Sequence, residues 1–346
     1  MSLSHPVMKP SDAKKAAITC VVAGLVPFIQ SSPGLGKSSL THEIAKGGNL
    51  ELIDVRLSQC APEDLQGLPM KKLIGKTERA TFTPFDTFPL EGDPLPPGKD
   101  GWLLFLDEFN SASKSVQAAA YKLVLDRMVG NHRLHPAVAI VCAGNLQTDK
   151  AIVNQMSTAM QSRLIHIVME GDKAEWIDWA TSSNIDYRVI GFIEFQPKKL
   201  HLFNPDHQEL TFPCPRTWEF VSKLVKDKQD VSDMIPLLSG AISPGVALEF
   251  VKFCEEYTRI PKLSAIIGDP KNTIVPVELS TRFAVLTMLM ANSTVGNIKK
   301  VVEYVARFKP EEQIIFYRGA LNRDPALRDV DEVASELVKV MRFVNS

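Results

Sequence analysis

The spacing of apolar positions along this chain changes character near residue 170. Before it, short continuous apolar runs alternate with segments of helical period. Val26-Pro27-Phe28-Ile29 is one such run, Trp102 to Leu106 another, Val138 to Asn145 a third, and Leu164 to Val168 a shorter one; Leu50 to Leu57 alternates instead. Continuous runs of this kind are what strands covered on both faces look like. Between them, residues 11–25, introduced by Ser11 and Asp12, predict a capped helix, a second helix opens just after Gly36, and Ser115 to Met128 keeps helical spacing. Pro62 to Gly67 predicts a short helix or turn. The β-like pieces Lys72-Leu-Ile-Gly and Ala80-Thr-Phe-Thr predict a hairpin over 70–89, inserted between core elements, and Gly92 to Gly101 is a loop by composition. Strands alternating with helices predict an α/β fold with a parallel sheet.

From Asp172 onward strand signals fade. Lys173–Ser182, Asp186–Phe195, Arg216–Lys226, Pro244–Tyr257, Val277–Asn292, Gly296–Phe308 and Val330–Phe343 have helical apolar spacing, with breaks at Gln196–Pro215 and Pro261–Pro276. The chain therefore divides into an α/β core over 1–170, a helical region over 171–258 and a helical extension over 259–346, without repeats. Trp176, Trp179, Tyr187, Phe192 and Phe195 are expected to form helical core rather than a partner groove.

Composition changes this picture little. Of 346 residues, 39 are Lys or Arg and 40 Asp or Glu, a net charge of −1. This balance argues against nucleic acid or an anionic membrane as principal partner, although a basic groove formed on assembly stays open. The five cysteines show neither paired spacing nor a histidine pattern for zinc, and are expected to be buried thiols in a reducing compartment. Met1-Ser-Leu-Ser-His-Pro has no apolar leader core and no stretch is long enough to span a bilayer, so a cytoplasmic protein is expected.

The candidate chemistry begins at Ser32-Pro33-Gly34-Leu35-Gly36-Lys37-Ser38-Ser39, between an apolar run and a helix. Backbone amides of such a loop, with the positive end of the helix dipole behind them, cradle phosphate oxygens. Lys37 would reach the β- and γ-phosphates and the Ser38 hydroxyl would ligate Mg²⁺. The full pattern wants glycine where Ser31 stands, and the alternative is a turn opening an ordinary helix. Asp107 and Glu108 close a buried run; Asp107 would hold Mg²⁺ opposite Ser38 and Glu108 would orient an attacking water, or both merely cap a strand. Asn145 ends the next strand, at the edge where ligands of parallel sheets sit; it would bond the water or γ-phosphate, or form a turn. Arg163, before the last core strand, would project toward a neighbouring subunit's γ-phosphate, or serve in a surface salt bridge or as a helix C-terminal cation. Arg216 opens a helix and would touch the phosphates, or cap that helix. Together these supply the parts that ATP hydrolysis requires. His132 and His135 are expected in a solvated loop rather than on a metal. Phe82, Phe85 and Phe88 are expected either to pack on the core or to contact a partner.

At these residues the chain resembles the AAA+ ATPases, and more closely their MoxR-like branch. The matching set is Pro33 to Ser38 (Walker A), Leu103 to Glu108 (Walker B), Ala143-Gly144-Asn145 (sensor 1), Ser162-Arg163 (arginine finger) and Pro215-Arg216 (sensor 2). Glu108-Phe109-Asn110, Ser115-Val-Gln117 and Asp126-Arg127-Met-Val-Gly130 match the branch after Walker B, and Asp178-Trp179-Ala180 and Pro215 to Glu219 its lid. The resemblance implies an AAA+ P-loop αβα core with a five-stranded parallel sheet in the order 5-1-4-3-2, an all-helical lid and a helical C-terminal region. It also implies a homo-oligomeric ring, usually a hexamer, binding ATP and Mg²⁺ between subunits. The ring would remodel a protein, often with a von Willebrand factor A-type partner, and the 70–89 insertion would face the pore or that partner. Whether Arg216 serves its own or the neighbouring subunit stays open. A motor or loader acting on nucleic acid is the alternative, and a non-catalytic nucleotide-gated scaffold a third.

Overall fold

Burial on both faces is what turns the apolar runs into strands. The computed structural model describes residues 6–149, 154–206 and 208–344, so residues 1–5, read above for a leader, lie outside it. A first compact unit comprises Met1–Gly171 with Asn204–Asp206. Its elements are β1 (Val7–Met8), α1 (Pro10–Val22), β2 (Pro27–Gln30), α2 (Lys37–Gly47), β3 (Leu50–Arg56), α3 (Pro62–Gln66), β4 (Leu68–Ile74), β5 (Thr77–Thr83) and β6 (Gly101–Asp107). They continue through α4 (Lys114–Leu125), β7 (Met128–Val129), β8 (His132–Arg133), β9 (Val138–Gly144), α5 (Thr158–Gln161) and β10 (Ile165–Met169).

The main sheet has six parallel strands in the order β1-β10-β2-β9-β6-β3, which corrects the expected five-stranded sheet: a sixth strand lies outside β10-β2-β9-β6-β3. The added strand is β1 at one edge, where Val7 and Met8 pair with Val168 and Met169. Two residues are too few to carry a period, and the pairing is with backbone that β10 offers along its outer edge. Along β6, Leu103 and Phe105 join Ala13 and Ala17 of α1 and Leu40 and Ile44 of α2 in one buried cluster. Trp102, Leu104 and Leu106 join Val116, Ala120 and Leu123 of α4 in another. Helices thus cover both faces, which is why these strands show no polar alternation.

Strands β4 and β5 form an antiparallel hairpin in register from Leu68↔Thr83 to Ile74↔Thr77. Gly75, at φ 65°, opens its two-residue turn, a position where hairpins favour glycine. Leu68, Met70 and Leu73 are exposed along it. Gly67 at its base has φ 87°, and a Cβ there would lie 2.2 Å from the Thr83 carbonyl oxygen. Gly67→Ala is therefore expected to destabilise the protein by about 1–3 kcal/mol, read as a fall in thermal midpoint of roughly 2–4 °C per kcal/mol. A second, shorter hairpin, β7–β8, lies in what reads as loop in the sequence; the His132 ring bonds the Phe82 carbonyl oxygen at 3.2 Å. His135 accepts from the Ala137 N–H at 3.0 Å, and no cluster of metal-ligating side chains occurs among the described residues. Phe88 is buried in the core, whereas Phe82 and Phe85 are 36 % and 38 % exposed.

The second unit, Asp172–Phe203 with His207–Ser346, is helical. It contains α6 (Lys173–Ser182), α7 (Tyr187–Phe195), α8 (Pro215–Val225), α9 (Ile235–Ile242), α10 (Pro244–Glu255), α11 (Leu263–Gly268), α12 (Leu279–Asn292), α13 (Ile298–Val305), α14 (Pro310–Arg323) and α15 (Asp331–Val344). Trp176 and Phe192 are buried here with Trp218 and Phe250. The apolar pattern marks neither α9, α11 nor α14. In α14 the buried face carries Glu312 and Gln313 beside Phe316 and Tyr317, which erases the period. Those polar groups are satisfied: Glu312 pairs with Arg282, and Gln313 donates to the Phe308 carbonyl at 2.8 Å. No described helix is long and apolar enough to cross a membrane.

Candidate active site

Chain order in the sheet sets adjacent strands β2, β9 and β6 side by side, so the segments that follow them meet at one edge. After β2 the chain turns through Gly34 and Gly36, at φ 80° and 84°, conformations that glycine adopts without steric cost. Gly36 then caps α2, its carbonyl accepting from the Leu40 N–H at 2.9 Å. Ser31 does not take a positive φ, so its position needs no glycine.

Lys37 opens α2, and its ammonium donates to the Ser31 carbonyl at 2.9 Å, to Ser31 Oγ at 3.2 Å and to Asn145 Oδ1 at 3.1 Å. Ser38 Oγ donates to Asp107 Oδ2 at 3.1 Å, across 69 residues of sequence. Four of the residues singled out in the sequence, Lys37, Ser38, Asp107 and Asn145, are therefore brought together. Glu108 follows with φ 55°, a left-handed conformation that is strained for a residue with a side chain. Its N–H donates to Asp107 Oδ1 at 2.8 Å, and its carboxylate accepts a hydrogen bond from Ser58 Oγ. Ser32, Pro33, Leu35 and Ser39 lie in the loop and the first turn of α2, with Ser39 exposed.

Negative charge gathers at this edge. Partial desolvation first, and then the charge of Asp107, push the carboxyl of the solvent-exposed Asp54 up from its ordinary value, against the opposing effect of Arg56 and His42. A cation beside Asp107 offsets such a field. Ser38 Oγ and Asp107 Oδ2 are spaced as two neighbouring oxygens of an octahedral Mg²⁺ site would be, given bonds of about 2.0–2.1 Å. The remaining ligands would be phosphate oxygens and water.

Arg163 is not part of this cluster. Arg163, exposed after α5, donates to the Tyr121 hydroxyl at 3.1 Å and the Ala159 carbonyl at 2.9 Å, with its guanidinium 5.8 Å from the Tyr121 ring centre. Arg216 is the exposed second residue of α8 in the other unit.

Four further residues support the site, and of these only Asn110 carries a signal in the sequence, within Glu108-Phe109-Asn110. Asn110, 1 % exposed, donates to the Asn145 carbonyl at 2.7 Å and accepts the Asn145 N–H at 3.2 Å, which fixes that segment. The contact requires glycine at 144, where a Cβ would lie 2.2 Å from Asn110 Oδ1. Buried Asp149 accepts from Ser32 Oγ at 3.2 Å, bracing the loop. Tyr121 holds Arg163, and Ser58 holds Glu108. Ser58→Ala is expected to free the Glu108 carboxylate and to change any rate that depends on its placement by no more than about 150-fold, since one hydrogen bond to a charged group is worth about 1.5–3 kcal/mol net of solvent.

No family model matches the sequence, and no curated protein matches it. Among solved structures, the chain is similar to a protein of Cytophaga hutchinsonii ATCC 33406 that is named, provisionally, an ATPase: 14 % identity over 97 % of this chain and 90 % of that one, TM-score 0.38. It is similar to the RuvB Holliday-junction branch-migration motor of Thermotoga maritima at 13 % identity over 88 % and 80 %, TM-score 0.32. NtrX of Brucella abortus matches at 12 % identity over 98 % of this chain and 69 % of that one, TM-score 0.40. Likenesses this loose do not assign an activity; the geometry of the site has to.

Proposed function

We propose that the first unit binds ATP with Mg²⁺ and hydrolyses it, and that the chain is an AAA+ ATPase of the MoxR-like branch. The observation that carries this reading is the pair of contacts Lys37–Asn145 and Ser38–Asp107, which unites a glycine-loop lysine and hydroxyl with a strand-end acid and amide. A structural turn needs none of these four groups to converge.

In this reading the loop amides from Ser32 to Ser39 hold the phosphates, and Lys37 moves from Ser31 and Asn145 to the β/γ oxygens. Ser38 and Asp107 hold Mg²⁺, which offsets phosphate charge when bound. Glu108, released from Ser58, orients water and takes its proton, while Asn145 positions that water. Lys37→Ala is expected to weaken nucleotide affinity about 10- to 150-fold, the equivalent of the 1.5–3 kcal/mol of a charged hydrogen bond. A titration with a fluorescent ATP analogue reads it, and unchanged affinity refutes the cradle.

Arg163 is the candidate arginine finger. It is exposed and bonds only Tyr121 and Ala159 among the described residues, which supports a role in a neighbouring subunit of a homo-oligomeric ring, taken as a hexamer. Arg216 completes the site from its own or the adjacent subunit. The hairpin β4–β5, exposed on both faces, supports a protein partner; in this reading that partner is of von Willebrand factor A type and the ATP-driven remodelling takes place in the cytoplasm.

A further inference from the structure

Arg188 is buried in the second unit to all but 5 % of its surface, yet one of its five N–H groups is uncommitted. Nε donates to Asp186 Oδ1 at 2.9 Å, and Nη2 to Asp186 Oδ2 at 2.8 Å and the Val225 carbonyl at 2.6 Å. Nη1 donates once, to the Lys228 carbonyl at 2.7 Å. Its other hydrogen has no partner among the described residues, and a buried donor left so is unfavourable.

The same side chain lines a cavity of about 500 Å³, within the size range of small-molecule sites. One wall is aromatic: the Tyr187 and Tyr257 rings meet edge to face at 5.2 Å, and the Arg188 guanidinium sits 5.7 Å from the Tyr187 ring centre. Lys226, Lys228 and Arg323 also line it, so four cations face two acids, Asp186 and Asp227. Asp186 is already neutralised by Arg188. Arg323 commits a single bond, to the Met290 carbonyl at 3.0 Å. The Cys254 thiol and Tyr257 phenol of the wall are uncharged at neutral pH even at their ordinary values, and burial pushes the thiol up to about 12 and the phenol well above its ordinary value.

We propose that this cavity binds a small aromatic anion, a carboxylate or phosphate ester, with its charge toward Arg188, Arg323 and Lys228 and its ring against Tyr187 and Tyr257. Charge-assisted bonds to guanidinium fix the anion, and the tyrosine faces accept the ring. The site shares no residue with the phosphate cradle and does not rest on the ATPase reading.

Fluorine NMR of 4′-fluorobiphenyl-4-carboxylate with the full chain tests this. The carboxylate line is expected to broaden with protein, and the neutral 4′-fluorobiphenyl-4-methanol to bind about tenfold more weakly or less. Arg323→Gln is expected to weaken the carboxylate about tenfold, whereas Lys37→Ala leaves it unchanged. Lys228→Gln, whose side chain bonds no described residue, gives the same direction should Arg323→Gln fail to fold. No broadening at millimolar concentration, equal binding of acid and alcohol, or binding indifferent to the replacement that folds overturns the proposal.

Discussion

Glu108→Gln is expected to slow phosphate release by about 10²- to 10⁴-fold, the usual worth of a positioned general base, while nucleotide binding survives. The asymmetry follows from where the side chain sits. Lys37 and Ser38, which would grip the phosphates and metal, bond to Ser31, Asn145 and Asp107, and none of those contacts involves the Glu108 carboxylate. Glutamine keeps the size of that group and still accepts from Ser58, but it takes no proton from water. The backbone should tolerate the change, since the strain at φ 55° belongs to any residue with a Cβ. A loss of binding in parallel with turnover would mean that Glu108 shapes the pocket rather than the reaction.

Arg163→Ala is expected to cost about 10³- to 10⁵-fold in turnover, the range of an arginine finger, again with little loss of nucleotide affinity. The distinctive result lies in mixing two inactive variants. If Arg163 serves a neighbour, Lys37→Ala subunits supply Arg163 to intact cradles on Arg163→Ala subunits, and activity reappears. If it serves its own site, the mixture stays inactive. Tyr121 gives a control: Tyr121→Phe removes the hydroxyl bonded to Arg163 but keeps the ring beneath the guanidinium, so its effect should be far smaller.

Much of this site was legible because its chemistry is local in sequence. A glycine loop running into Lys37-Ser38 and a buried strand ending in Asp107-Glu108 each name their residues and the elements that hold them. Their convergence is a prediction of sheet order, and the parallel pairing of β2, β9 and β6 delivers it. What was not legible depends on partners far along the chain. Asn110 is marked in the sequence by resemblance alone, and nothing near it shows that Gly144 lets it close on Asn145; Ser58 lies 50 residues from the glutamate it holds. The sixth strand escaped because two residues carry no period, and α14 because Glu312 and Gln313 occupy its buried face. Arg188 sat in plain view at the start of a predicted helix, but nothing nearby in sequence shows the carbonyls of Val225 and Lys228 that bind it.

The measurement that bears most directly on the phosphate cradle is equilibrium binding of ATP with Mg²⁺ to Glu108→Gln, set beside phosphate release by the unaltered chain. Micromolar retention of nucleotide by the variant, lost on adding Lys37→Ala, together with steady phosphate release by the unaltered protein, is the predicted result. Failure of both proteins to retain nucleotide at millimolar ATP would contradict it.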